Sequence, residues 1–115
     1  MTACKRGDVI IVRYPNSDLT TYKKRPALVV QADGVETGIN QSVVALVTTN
    51  LQRTGPTRVR FDAGSREGRA MGLASDSVVA TDSLATVLHR EIDKVIGACP
   101  AMQEVDTALR KTLGL

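Results

Sequence analysis

The stretch from Lys23 to Asp33 reads KKRPALVVQAD: three cations and a proline, then an apolar run. A cation cluster at the mouth of a strand is either a solvated edge or a grip for an anionic substrate. Arginine suits phosphate best, because its planar fork holds two oxygens and stays charged at any working pH. A second basic patch follows, with Arg53, Arg58, Arg60, Arg66 and Arg69 set against Asp62 and Glu67. The rest of the reactive inventory is thin. His89 is the single histidine and lies in the charged stretch LHREID, so no His-His acid/base pair and no His-Cys metal cluster can be assembled. It reads as a solvent-exposed side chain. Cys4 and Cys99 match no C-x-x-C spacing and read as two reduced thiols, although a single disulfide would use the same pair. GSREGRAMG lacks the spacing of a dinucleotide loop, and no phosphate-cradling loop is present. No metal or nucleotide cofactor is therefore expected, and any catalysis must rest on Arg, Asp and hydroxyl groups.

Those groups need a scaffold. The chain of 115 residues suits one domain, 1–115, and its 43% hydrophobic content with only Tyr14, Tyr22 and Phe61 as aromatics predicts an aliphatic core. A net charge of +3 permits a nucleic-acid partner without requiring one. Val9 to Tyr14, Ala27 to Gln31 and Val43 to Thr49 are β-branched runs bounded by breakers, which is the pattern of buried strands. Arg58 to Asp62 alternates, with Val59 and Phe61 on one face, so it has a wet side. Two further strands are expected between Val78 and Val87 and a short one from Val95 to Ala98. Between them GSREGRAMG reads as a flexible loop. After Pro100, expected at the first helical position, Met102, Val105, Leu109 and Leu113 form one stripe of an amphipathic helix that Gly114 would stop. The architecture is mainly β: a small, strongly bent sheet or barrel closed by a C-terminal helix. The N-terminus MTACKRGD has no apolar signal core, and no apolar run approaches the roughly 18 residues of a membrane span, so a cytoplasmic location is expected.

In order along the chain, KRGDVIIVRYPNSDLTTYKKRPALVV, SVVALVTTNLQ, TRVRFD and GLASDSVVATDSLATVL resemble the MazF/PemK family, toxins of type II toxin-antitoxin pairs. The resemblance implies an SH3-like barrel acting as a homodimer. It also implies a metal-independent, sequence-specific endoribonuclease that cuts single-stranded RNA, an mRNA interferase, blocked by a cognate antitoxin. Carried over residue by residue, it makes Arg25 the catalytic arginine, Thr48 the hydroxyl at the end of the third strand, and Asp82 the acidic residue after D-S-V. Tyr22, Lys23, Lys24, Thr49, Asn50 and Arg53 fall beside them as substrate contacts. Two positions depart from the pattern: Lys24 stands where some members carry a carboxylate, and Ala80 where others carry a second arginine.

The implied roles agree with the chemistry. Metal-free RNA cleavage must take a proton from the 2′-hydroxyl, stabilise a phosphorane, and release the 5′-oxygen. Arg25 answers the second need and not the first, since a guanidinium gives up no proton near neutrality. Asp82 is then the candidate base, and Thr48 a donor to the same phosphate. Lys23 and Lys24 read as phosphate contacts, and Tyr22 as a ring on which a base could stack. The apolar run after Pro26 would hold Arg25 with little freedom. Two other classes stay open: a DNA gyrase poison of the same fold, which would work through the C-terminal helix, and a non-catalytic RNA- or protein-binding module.

Overall fold

A computed structural model describes residues 4–35 and 38–115. In chain order it runs through β1 (Asp8–Pro15), β2 (Tyr22–Val29), β3 (Gln41–Thr48), β4 (Arg58–Phe61), helix α1 (Arg66–Ala70), β5 (Ser77–Leu88), a 3-10 turn (His89–Glu91), β6 (Ile92–Ala98) and helix α2 (Met102–Leu113). The strands pair antiparallel in one sheet of order β4-β5-β3-β2-β1-β6. The two edges, β4 and β6, do not pair with each other.

Side chains alternate along the strands, yet both faces are buried. Val9, Leu28, Ala45, Val47 and Val79 meet Phe61, Met71 and Val105 of α2 on one face. Ile10, Val12, Tyr14, Ala27, Val29 and Val44 meet Val87 and Ile92 on the other. A flat sheet covered by one helix would leave its second face wet; curling the sheet upon itself buries both.

Four expectations change. β2 begins at Tyr22 rather than Ala27, and hairpin pairing with β1 carries it through Pro26, with Pro15 opposite Tyr22 and Val12 opposite Arg25. Val78 to Val87 is one strand, not two. Its register against β3 jumps, since Ala45 pairs with Leu84 but Leu46 with Ala80, and the residues between are pushed out as a bulge. GSREGRAMG is no flexible loop: Ser65 accepts a hydrogen bond from the Gly68 amide at 3.0 Å and starts α1, and Met71 is wholly buried. Gly68 is there for space, because a Cβ on it would come within 2.0 Å of the Asp62 carbonyl oxygen. Pro100 precedes the cap residue Ala101 instead of opening α2, whereas Gly114 does end it, in the left-handed region at φ 71°. Cys4 and Cys99 are separate free thiols.

Candidate active site

The β5 bulge builds the centre of the site. Thr81, fully buried, donates its hydroxyl to the Thr57 carbonyl at 2.6 Å and lies 2.8 Å from the Thr112 hydroxyl of α2. With its middle pinned inward, the bulge turns Asp82 outward. The Asp82 carboxylate accepts from the Thr57 hydroxyl at 2.9 Å and from Arg58 twice, Nη2 at 2.9 Å and Nε at 3.3 Å. Burial acts on this carboxyl most strongly and upward, but the Thr57 and Arg58 bonds together with the Arg58 charge outweigh it. The net effect holds the group below the usual carboxylate range. Arg58, its side chain only 13% exposed, lines a groove of about 620 Å³ with Leu46, Thr48, Asn50, Arg53, Asp82 and Ser83.

Thr48 closes β3 at the floor of that groove. Its hydroxyl oxygen accepts the Asn50 amide at 3.1 Å, and Asn50 in turn accepts the Gln52 amide at 3.1 Å. The turn spends an acceptor site of Thr48 and leaves its O–H free to donate.

Arg25 is not among the residues that line the groove. The β2–β3 ladder runs from Val29 to Ala27, where Ala27 faces Leu46; two residues further the same register would set Arg25 opposite Thr48. Its guanidinium donates to the Asn16 side-chain oxygen at 3.0 Å, and among the described residues it has no carboxylate partner. Asn16 is fixed by the hairpin turn, giving its amide hydrogens to Thr21 at 2.9 Å, while Asp18 accepts the Thr20 and Thr21 amides at 2.9 and 3.0 Å. Arg25 also shares a face with Tyr14, whose hydroxyl donates to the Ser83 carbonyl at 2.6 Å. Burial pushes the Tyr14 phenol up, against the Ser83 hydroxyl 3.3 Å away and the nearby Arg25 charge. Tyr14 thus ties the face that carries Arg25 to Ser83 of the groove wall.

The other expected contacts divide. Asn50 and Arg53 line the groove, and Thr49 is exposed just beyond it. Lys23, opposite Tyr14, is on the Arg25 side of β2. Lys24 is on the other side, 3.7 Å from Asp93. Tyr22 also faces away from Arg25, with the Arg13 guanidinium 5.6 Å from its ring centre. Arg58 was visible in the sequence only as one of five arginines, and nothing local marked it as the buried one. The clue lies across the strands, where Arg58 is the partner of Ala80 and so stands beside the bulge. His89 is not a free surface group: its Nε2 lies 2.8 Å from the Ser42 hydroxyl, at the opposite end of β3 from Thr48. Among the described residues no three His, Cys, Asp or Glu side chains group as metal ligands, and no helix is long and apolar enough to cross a membrane.

Known proteins fit this architecture. An endoribonuclease solved in complex with its cognate antitoxin, from a mycobacterial species, superposes with a TM-score of 0.77 at 28% identity, over 98% of this chain and 97% of its own. The Mycobacterium tuberculosis toxin MazF-mt6 superposes with 0.73 at 26% identity, over 94% and 97%. MazF from Deinococcus radiodurans, at 20% identity and a TM-score of 0.76 over the whole of both chains, shares the fold. No curated protein matches the chain. The curled sheet with its C-terminal helix is thus the SH3-like barrel of MazF proteins. The family model of PemK-like, MazF-like toxins of type II toxin-antitoxin systems matches residues 5–113, and the chain belongs to that family.

Proposed function

We propose that this toxin is a metal-independent endoribonuclease that cuts single-stranded RNA at a short sequence, acts as a homodimer, and is held inactive by a cognate antitoxin covering the groove. The observation that carries this reading is the contrast between two arginines at one site. Arg25 is positioned by a neutral amide and has no carboxylate partner among the described residues; Arg58 is paired with the Asp82 carboxylate at 2.9 Å. Phosphorane stabilisation needs the first kind, a fixed cation with no competing anion. Thr48, with its hydroxyl proton free, donates to the same phosphate. Among the described residues, Asp82 is the only carboxylate lining the groove. Held ionised by Thr57 and Arg58, it fixes the Arg58 guanidinium in the groove wall, and the 2′-hydroxyl proton passes to water. Family membership and the endoribonuclease neighbours support RNA as the substrate.

The test is digestion of single-stranded RNA in excess EDTA. Fragments with 2′,3′-cyclic phosphate and 5′-hydroxyl ends, lost with Arg25→Ala, are expected. Cleavage that requires added Mg²⁺ would refute the mechanism. Sedimentation at micromolar concentration tests the homodimer, and a monomer alone would count against it.

A further inference from the structure

A second cavity, of about 420 Å³, opens on the other face of the β1–β2 hairpin, lined by Arg13, Pro15, Tyr22, Thr86, Val87, Leu88 and Glu91. We infer that it receives one unstacked base of the RNA and that Arg13, Tyr22 and Glu91 read that base as guanine. The inference rests on the ribonuclease reading above and deepens it by naming residues that set the cut sequence.

The cavity is unsuited to phosphate. Its one cation, Arg13, faces the carboxylate of Glu91 at 3.6 Å, so the site carries little net charge. Its walls are a tyrosine ring, a proline and two aliphatic residues. A planar, uncharged heterocycle fits such a lining, and the half-exposed Tyr22 offers the stacking surface. The polar pair is poised rather than locked. At 3.6 Å, Arg13 and Glu91 attract without a hydrogen bond, and neither shows another hydrogen-bond partner among the described residues. The donors of Arg13 and the acceptors of Glu91 are therefore both available on one wall.

Guanine presents the complementary edge. Its N1–H and N2–H₂ run parallel and match the two oxygens of one carboxylate, while O6 accepts from a guanidinium. Adenine and cytosine bring only their amino group as a donor to the carboxylate, and uracil only N3–H.

The position suits a base beside the cut. Ser83 lines the catalytic groove and Thr86 lines the second cavity, and along β5 they are about 10 Å apart at roughly 3.3 Å per residue. An RNA strand with its phosphate at Arg25 has to pass round the hairpin to its other face to bring a base into the cavity.

Two measurements test this on the full chain. In the first, guanosine, adenosine, cytidine and uridine 5′-monophosphates are titrated separately and the Tyr22 ring and Leu88 methyl signals are followed by NMR. Shifts with the guanine nucleotide alone, abolished by Glu91→Gln, are expected. Equal shifts with all four, or none, overturn the inference whether or not the protein cuts RNA. In the second, cleavage of oligonucleotides randomised around the cut is compared for the parent and Glu91→Gln. The parent should prefer guanine at one position by about 5- to 150-fold, the worth of one two-pronged base contact. Glu91→Gln should flatten that position alone while still cutting; an unchanged preference, or one for another base there, overturns the assignment. Nucleotide shifts without any cleavage would instead sink the ribonuclease reading and leave the base site standing.

Discussion

Replacing Arg25 by alanine separates what the side chain does for the fold from what it does for chemistry. In the fold it makes one hydrogen bond, to the neutral oxygen of Asn16, and no ion pair among the described residues. A net loss of about 0.5–1.5 kcal/mol is expected from a bond of that kind. At this chain length that lowers the melting temperature by about 2–10 °C and leaves the protein folded at 25 °C. The catalytic loss is far larger. An arginine that stabilises charge on a transferring phosphoryl group is worth about 10³–10⁵ in rate, because a fixed cation needs no reorganisation when the charge appears. Asn16→Ala calibrates the positioning: it leaves the charge in place but frees it, and an ångström of misplacement costs about 10². Single-turnover cleavage of a fluorophore-quencher RNA in EDTA, read beside a thermal melt of each variant, gives both quantities. The order parent, Asn16→Ala, Arg25→Ala in rate is expected, with both variants melting about 2–10 °C below the parent because each loses the same bond. An Arg25→Ala protein that melts like the parent and still cuts at the parental rate would refute the assignment of Arg25 as the electrophile.

Three more outcomes are expected. Thr48→Ala should cut about 10²-fold more slowly, the worth of one transition-state hydrogen bond, and Thr48→Ser should keep most of the rate; equal losses would show that the methyl group, not the hydroxyl, matters. Asp82 has a depressed pKa in the fold, so the stability it brings is present above its unfolded value and is lost only as pH falls through the folded one. Above about pH 5 it stays ionised, and Asp82→Asn should lower the rate without moving any limb of the pH profile. A limb that vanishes in that variant would make Asp82 a titrating base. Thr81→Val removes the hydroxyl's bonds to the Thr57 carbonyl and the Thr112 hydroxyl but leaves that carbonyl its bond from the Thr81 amide at 3.1 Å; it should cost about 0.5–1.5 kcal/mol, seen as a lower urea midpoint, with a rate loss through the displaced bulge. A variant as stable as the parent would show that those bonds do not hold the bulge.

The strands of the core were legible because β-branched runs with breakers between them identify themselves locally: β1, β3 and β4 stand within a residue or two of their expected ends. The sides of β2 were not. If β2 starts at Ala27, Tyr22 is a loop residue beside Arg25; once pairing with β1 extends the strand to Tyr22, the period of two turns it to the opposite face. The same kind of non-local pairing made the site. VVATDSLATV carries β-formers on both sides of T-D-S, and a turn between two strands is as good a local reading as a bulge within one. Only the register of β3 and the inward bonds of Thr81 decide it. Arg58 and Asp82, or Ser42 and His89, are invisible as pairs for the same reason. Each partner alone is an ordinary polar residue, and only the fold brings them to within 3 Å.

The two arginines also fix what an inhibitor must do. The Arg58–Asp82 pair brings donors and geometry to the groove but little field, whereas Arg53 and Arg25 have no ion-pair partner among the described residues and supply its positive potential. An acidic segment laid on Arg58 would have to approach Asp82 as well, and like charges in a partly desolvated groove repel. Laid on Arg25, it meets only the neutral Asn16 and the phenol of Tyr14. On the proposed reading, the same absence of a competing carboxylate that would suit Arg25 to a phosphorane would make it the place where a carboxylate of an antitoxin gains most.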